Sequence, residues 1–213
     1  KETRAKLEAL EQAMVRFVMV NRRLPCPADG ALAPGNANQG LELGAAGVCN
    51  PATQINGVVP WRSLGLSQGD ATDAWGTLVT YRVWPALAQV NGLDMSTRDP
   101  TVNGAVLGEN QVIEWLKTRG FRACNATGCP LPADELASKI RGNGVAYVLI
   151  SHGSNRFGGF NVDGNYIDPA GGSPFGPLEN LNRNTQIVQV APGADFYIDA
   201  EFNENSAEHF DDI

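Results

Sequence analysis

Four cysteines, two histidines and a scatter of carboxylates are the residues of this chain that could carry chemistry. The cysteines are Cys26, Cys49, Cys124 and Cys129. An even count in a chain rich in glycine and proline favours disulfides and an oxidising compartment. Sequential pairing, Cys26 with Cys49 and Cys124 with Cys129, is the simplest of the three connectivities that four cysteines allow. The run "CNATGC" sets a turn between two cysteines, so a local bridge closes easily there. Loop entropy makes such bridges worth roughly 2–3.5 kcal/mol each. A four-cysteine zinc site is the competing chemistry. It wants two close pairs, and Cys26 and Cys49 stand too far apart in sequence to form one.

Ser151, His152 and the second histidine, His209, raise the question of a hydrolase. The chain has no Gly-x-Ser-x-Gly elbow. Neighbouring residues on a strand point to opposite faces, which disfavours a Ser151–His152 dyad. No His-x-x-x-His pair suggests a zinc centre, and "HGSNRFGG" does not follow the dinucleotide-binding glycine pattern. Both histidines therefore read as loop or surface residues, and no enzymatic activity is expected. The formal net charge of −7 and a pI near 4.8 exclude nucleic acid as a main partner, because the chain would repel a phosphate backbone.

The elements that would hold these residues are legible in the hydrophobic pattern. Leu7, Leu10, Met14, Phe17 and Val18 recur at helical spacing, with Glu2, Arg4, Lys6, Glu8 and Glu11 opposite them. This predicts an amphipathic helix over residues 1–21, stopped where "RRLP" forces extended backbone before Pro25. No capping residue precedes Thr3, and the helical pattern meets Lys1 without a stop. That suggests a helical segment further upstream. No apolar run in the chain is long enough to cross a bilayer.

Residues 22–60 read as a long loop, rich in Gly, Ala, Asn and Pro and stapled by Cys26–Cys49. In "TDAWGTLVTYRVW" a turn at Asp73–Gly76, with a buried indole at Trp75, precedes an alternating strand from Leu78 to Trp84. "PADELASKIRG" predicts a helix ending at Gly142. "GVAYVLIS", from Gly144 to Ser151, predicts a buried strand. "TQIVQVA" and "ADFYIDAEF" predict two further strands, joined as a hairpin across "APGA". Helix and strands are segregated, so the fold class is α+β: a long N-terminal amphipathic helix packed on a mainly antiparallel sheet, with long disulfide-stapled loops, in one domain over 1–213.

Several segments resemble the type IV pilin and type II secretion pseudopilin family. "LEALEQAMVRFVMVNRRLPCPADG" is similar to the lower half of a pilin spine helix and the turn leaving it. "VPWRSLGL" and "DAWGTLVTYRV" resemble a Asp-x-Trp-Gly segment of pseudopilins. "YVLISHGSNRFGGFNVDG" resembles their strand and glycine-rich loop, and "HFDDI" their acidic end. Residues 85–140 carry no part of the likeness.

The resemblance implies a non-enzymatic structural subunit, a minor component of a pilus or pseudopilus, at the bacterial inner membrane, in the periplasm or on a cell-surface fibre. Its partners would be other pilin or pseudopilin subunits, and an apolar helix preceding Lys1 would anchor it in the inner membrane. The helix face Leu7, Leu10, Met14, Phe17 and Val18 would pack on the head. The resemblance further implies a calcium ion at the glycine-rich loop, held by Asn155, Asp163, Asp211 and Asp212 with Ser154 and Asn161 nearby. The spacing is not that of an EF-hand, and a loop of hydrogen-bonded Asx turns is the alternative. A secreted binding or adhesion module beginning with a helix, or a secreted hydrolase using His152, would be the other readings.

Overall fold

A computed structural model of the chain describes residues 2–45, 48–50, 57–93, 101–102, 105–106, 120–125, 140–168, 182 and 196–201. Helix α1 runs over Glu2–Asn21, 20 residues, or about 30 Å at the usual rise. Its inward face buries Thr3, Leu10, Ala13 and Met14, while Leu7 and Val18 pack partly against the same core. The helix stops because Arg22 turns left-handed, at φ 54°. The Arg22 N–H bonds back to the Val18 carbonyl at 2.8 Å, and the Asn21 side chain bonds to the Phe17 carbonyl at 2.9 Å. Glycine usually fills this place, so the chain accepts some strain to end the helix just ahead of Pro25.

The segment expected as loop contains short strands: β1 (Ala28–Asp29), β2 (Gly44–Ala45), β3 (Val48–Cys49) and β4 (Gly57–Val58). A 3-10 turn, Gln68–Ala71, follows and is capped by Ser67. Then come β5 (Thr77–Leu78), β6 (Thr80–Val83) and a four-residue helix α2 (Pro85–Ala88). β7 (Thr101–Val102) pairs antiparallel with β8 (Ala105–Val106). The later strands are β9 (Phe121–Cys124), β10 (Ile140–Val145), β11 (Tyr147–Ile150), β12 (Phe160–Asn161) and β13 (Phe196–Ile198).

The central sheet has the order β1-β4-β6-β11 and is antiparallel. β10, β9 and β13 make a second sheet, in which β13 runs parallel to β9. The result is an α+β fold with a mainly antiparallel sheet. The core joins Leu10 and Met14 of α1 to Val58, Val59, Val79, Tyr81 and Val83 of the sheet. β6 is covered on both faces, since Thr80 and Arg82 are buried as fully as Tyr81 and Val83. The strand expected to alternate between core and solvent is therefore an interior one, and it breaks at Val79.

Three sequence expectations need correction. The end of the helix expected at "PADELASKIRG" is strand: Ile140 and Gly142 lie in β10, paired with Cys124 and Ala123. Long-range pairing with β9 outweighs local helical propensity there. The remainder of that segment, the strand at "TQIVQVA" and its hairpin across "APGA" lie outside the described residues. The Trp75 indole is 36% exposed and not buried, because the turn at Asp73–Gly76 projects it outward. Finally, β11 is a half-buried outer strand, not a fully buried one; of its residues Ile150 alone is buried.

Tyr81 ties the sheet to the chain leaving α1. Its hydroxyl donates to the Pro25 carbonyl at 3.0 Å, and burial pushes the phenol well above its ordinary value. A raised folded-state value favours the neutral ring. Its contribution to stability is thus full below the unfolded-state value of about 10 and is lost as pH rises through the folded one. Stability should fall above about pH 10, and Tyr81→Phe should flatten that fall while costing about 1 kcal/mol at neutral pH. Urea midpoints measured across the alkaline range check both effects.

Candidate functional site

Over its last two turns α1 exposes three apolar side chains beside Arg16 and Asn21. Val15 is 58% exposed, Met19 77% and Val20 81%. Val15 and Met19 lie one turn apart on the side away from Leu10, Ala13 and Met14, which face the domain's own core, whereas Val20 lies about 100° further round the helix, past Arg16. Phe17, expected on the core-facing side, is half-buried and lies beneath the Arg23 guanidinium, 5.2 Å from ring centre to Cζ. Near the other end of the helix, the Lys6 ammonium donates to the Thr72 carbonyl at 2.8 Å, and Thr3 Oγ1 accepts from Ala74 N–H at 3.4 Å. The helix is thus fastened to the head at both ends while one strip of it stays uncovered.

The exit from α1 is clamped. Arg23 makes a two-pronged ion pair with Glu42, at 2.8 Å on each side. Glu42 also accepts the Cys26 N–H at 2.9 Å, and its own N–H donates to the Ser63 hydroxyl. The carboxylate raises the guanidinium's pKa, partly opposed by burial. Cys26, buried between Pro25 and Pro27, is bonded to Cys49. That bond removes these two cysteines from any zinc site and fits an oxidising compartment. Cys124 is also disulfide-bonded and fully buried. Its expected partner, Cys129, lies outside the described residues.

A second polar cluster sits under the sheet. Asp73 Oδ1 accepts from the N–H groups of Trp75 and Thr77, at 3.0 and 2.8 Å. Asp73 Oδ2 accepts from the Ser151 hydroxyl at 2.7 Å. One carboxylate thus folds the turn ahead of β5 and pins it to the end of β11. His152, read from sequence as a loop or surface residue, lies in the loop after β11 and is 0% exposed; its Nε2 lies 2.8 Å from the Thr80 hydroxyl. A Cβ on Gly159 would strike Thr77 and the His152 ring, so the glycine-rich loop closes over this histidine. Ser151 turns to Asp73 and His152 to Thr80, so the two do not form a nucleophile–base pair. His209 lies outside the described residues.

Removing the carboxylate strands the buried Thr77 N–H and Ser151 hydroxyl and the part-buried Trp75 N–H. Asp73→Ala should therefore lower stability by about 2 kcal/mol, and Ser151→Ala by about half as much. Thermal unfolding of the two variants, side by side with the parent, checks that ranking.

Of the residues implied as calcium ligands, Asn155 and Asp163 are described and Asp211 and Asp212 are not. Asn155 Oδ1 accepts from Phe157 N–H at 2.8 Å. Asn161 Oδ1 accepts from the N–H groups of Asp163 and Asn165. The loop is built from Asx turns, and an ion there would compete with these bonds. Among the described residues, no three His, Cys, Asp or Glu side chains cluster as metal ligands, and no helix is long and apolar enough to cross a membrane. Sequence reasoning missed the Arg23–Glu42 clamp and the exposed strip at Val15, Met19 and Val20. The outward placing of Val15 and Met19 could have been read from a helical projection, whereas the clamp joins residues 19 apart across a loop. No protein-family model matches the chain, and neither curated proteins nor solved structures give a match.

Proposed function

We propose that the chain is the head of a pilin-like structural subunit, a minor component of a type IV pilus or type II secretion pseudopilus, and that it works by assembly and not by catalysis. The observation that carries this reading is the two-sided use of α1. Leu10 and Met14 hold the helix to its own domain, and Val15, Met19 and Val20 remain exposed within six positions of one another. Single exposed apolar residues are ordinary, but Val15 and Met19 stand one turn apart on the uncovered side, with Val20 as a third in the same two turns, and such a grouping supports a contact surface. The Arg23–Glu42 pair and the Cys26–Cys49 bond support the same reading, since they fix the angle between helix and head.

In this account the strip packs against the helices of neighbouring pilin or pseudopilin subunits. The inner membrane is reached through a further apolar helix joined to the start of α1, and the head stands in the periplasm or on the fibre. The experiment is envelope fractionation of the native host, with the protein tagged at its C-terminus. Recovery in the inner membrane and in sheared fibres, together with pilin-like subunits, is the expected result. Recovery solely as a free monomer in the medium overturns the reading and favours a secreted binding module.

A further inference from the structure

Among the described residues β11 is the outer strand of the central sheet, and half of its backbone faces away from β6. Trp84 N–H donates to the Ala146 carbonyl at 2.9 Å, and the register sets Val148 against Arg82 and Ile150 against Thr80. Antiparallel pairing alternates, so residues 146, 148 and 150 bond toward β6. On the other side of β6, Val59 N–H donates to the Val79 carbonyl, as that alternation requires. Tyr147 and Leu149 consequently direct their N–H and C=O groups at the outer edge. Among the described residues no strand pairs with it. An open row of donors and acceptors of this kind is a template for another strand.

A cavity of about 170 Å³ lies against this strand, lined chiefly by apolar groups of Val148, Leu149, Ile150, Ala123 and Tyr197. Across it, β13 is already closed. The buried Asn182 side chain accepts from Ile198 N–H at 2.7 Å and donates to the Ile198 carbonyl at 2.8 Å, where a neighbouring strand's peptide group would sit. Among the described residues β11 has no such plug. Two carboxylates border the site: Asp199 lines the cavity, and Glu11 of α1 acts on the Tyr147 hydroxyl, whose pKa is raised by burial first and by that charge second. With a formal charge of −7, a second copy of the chain would be repelled.

We propose that the outer edge of β11, at Tyr147 and Leu149, binds an extended segment of a partner protein as an added strand, seating an apolar side chain in the adjoining cavity and setting basic residues against Glu11 and Asp199. Main-chain bonds would supply the affinity, and the cavity and charges the selectivity. The proposal does not rest on the subunit reading, because a secreted binding protein with this edge would use it in the same way.

The probe is the synthetic peptide KTVTVTVK, compared with the same peptide N-methylated at its three central residues, which removes donors from both of its edges. Titration is followed in amide spectra of the 15N-labelled protein. Saturable shifts centred on Tyr147 and Leu149 are expected, with about tenfold weaker binding of the N-methylated peptide. Glu11→Lys with Asp199→Lys, both at exposed positions, should weaken the parent peptide about fivefold without changing the unfolding temperature. No binding at millimolar peptide, equal binding of the N-methylated form, or shifts centred elsewhere would each overturn the proposal.

Discussion

Replacing Cys26 and Cys49 together by alanine is expected to lower stability by about 3.5 kcal/mol. The bond closes a separation of 23 residues, and the entropy of leaving that loop open in the unfolded chain sets the figure. What the loop does in the folded state makes the loss visible. It begins at the helix exit, contributes β1 to the edge of the central sheet and closes with β2 paired to β3 at Cys49. A slack loop would loosen both the sheet and the angle at which α1 leaves it. Urea unfolding of the double variant, without reductant, should show a midpoint lower by roughly 1–2 M. A loss below about 1 kcal/mol would mean that the Arg23–Glu42 clamp and Tyr81 hold the loop unaided.

The two faces of α1 should respond oppositely to truncation. Leu10 and Met14 are fully buried against the sheet, so Leu10→Ala or Met14→Ala should cost about 2–5 kcal/mol, the transfer term plus a cavity the neighbours fill incompletely. Met19 is mostly exposed, so Met19→Ala should change stability by less than about 0.5 kcal/mol. Denaturation of the isolated domain measures both. The contrast matters because a residue that contributes nothing to its own fold, yet carries a large apolar side chain, is available to a neighbour. Loss of fibre or secretion activity in the Met19→Ala strain, with the domain still fully folded, is the outcome that the assembly reading requires. Unchanged activity in the Val15→Ser, Met19→Ser, Val20→Ser strain would oppose it.

The features that sequence made legible are the local ones. The helix could be read because its signal lies within a few turns: Leu7, Leu10, Met14 and Val18 repeat at the spacing of one face, and Pro25 ends it. The strand at Tyr147–Ile150 was legible for the same reason, as a short run of apolar and aromatic residues after a glycine. What could not be read depends on partners distant in sequence. Ile140 and Gly142 look helical until β9 is beside them. His152 looks like a loop histidine until Thr80, 72 residues away, is set against its ring. The two-residue strand at Ala28 carries too little pattern to be seen, and exists because Val58, in the short extended stretch that opens "GVVPWRSLGL", is its partner. Cysteine count alone left three pairings open; the fold brings Cys26 and Cys49 to a Cα separation of 5.3 Å.

The central claim is that the uncovered strip of α1 is a contact between subunits. It is tested most directly by placing a photo-cross-linking phenylalanine analogue at position 19 of the full-length protein in its native host. On irradiation the account predicts an adduct whose partner peptide is the helix of a pilin or pseudopilin subunit, and no such adduct from position 14 on the buried face. Irradiation that yields no adduct at position 19, in cells where the protein is folded and abundant, would contradict it.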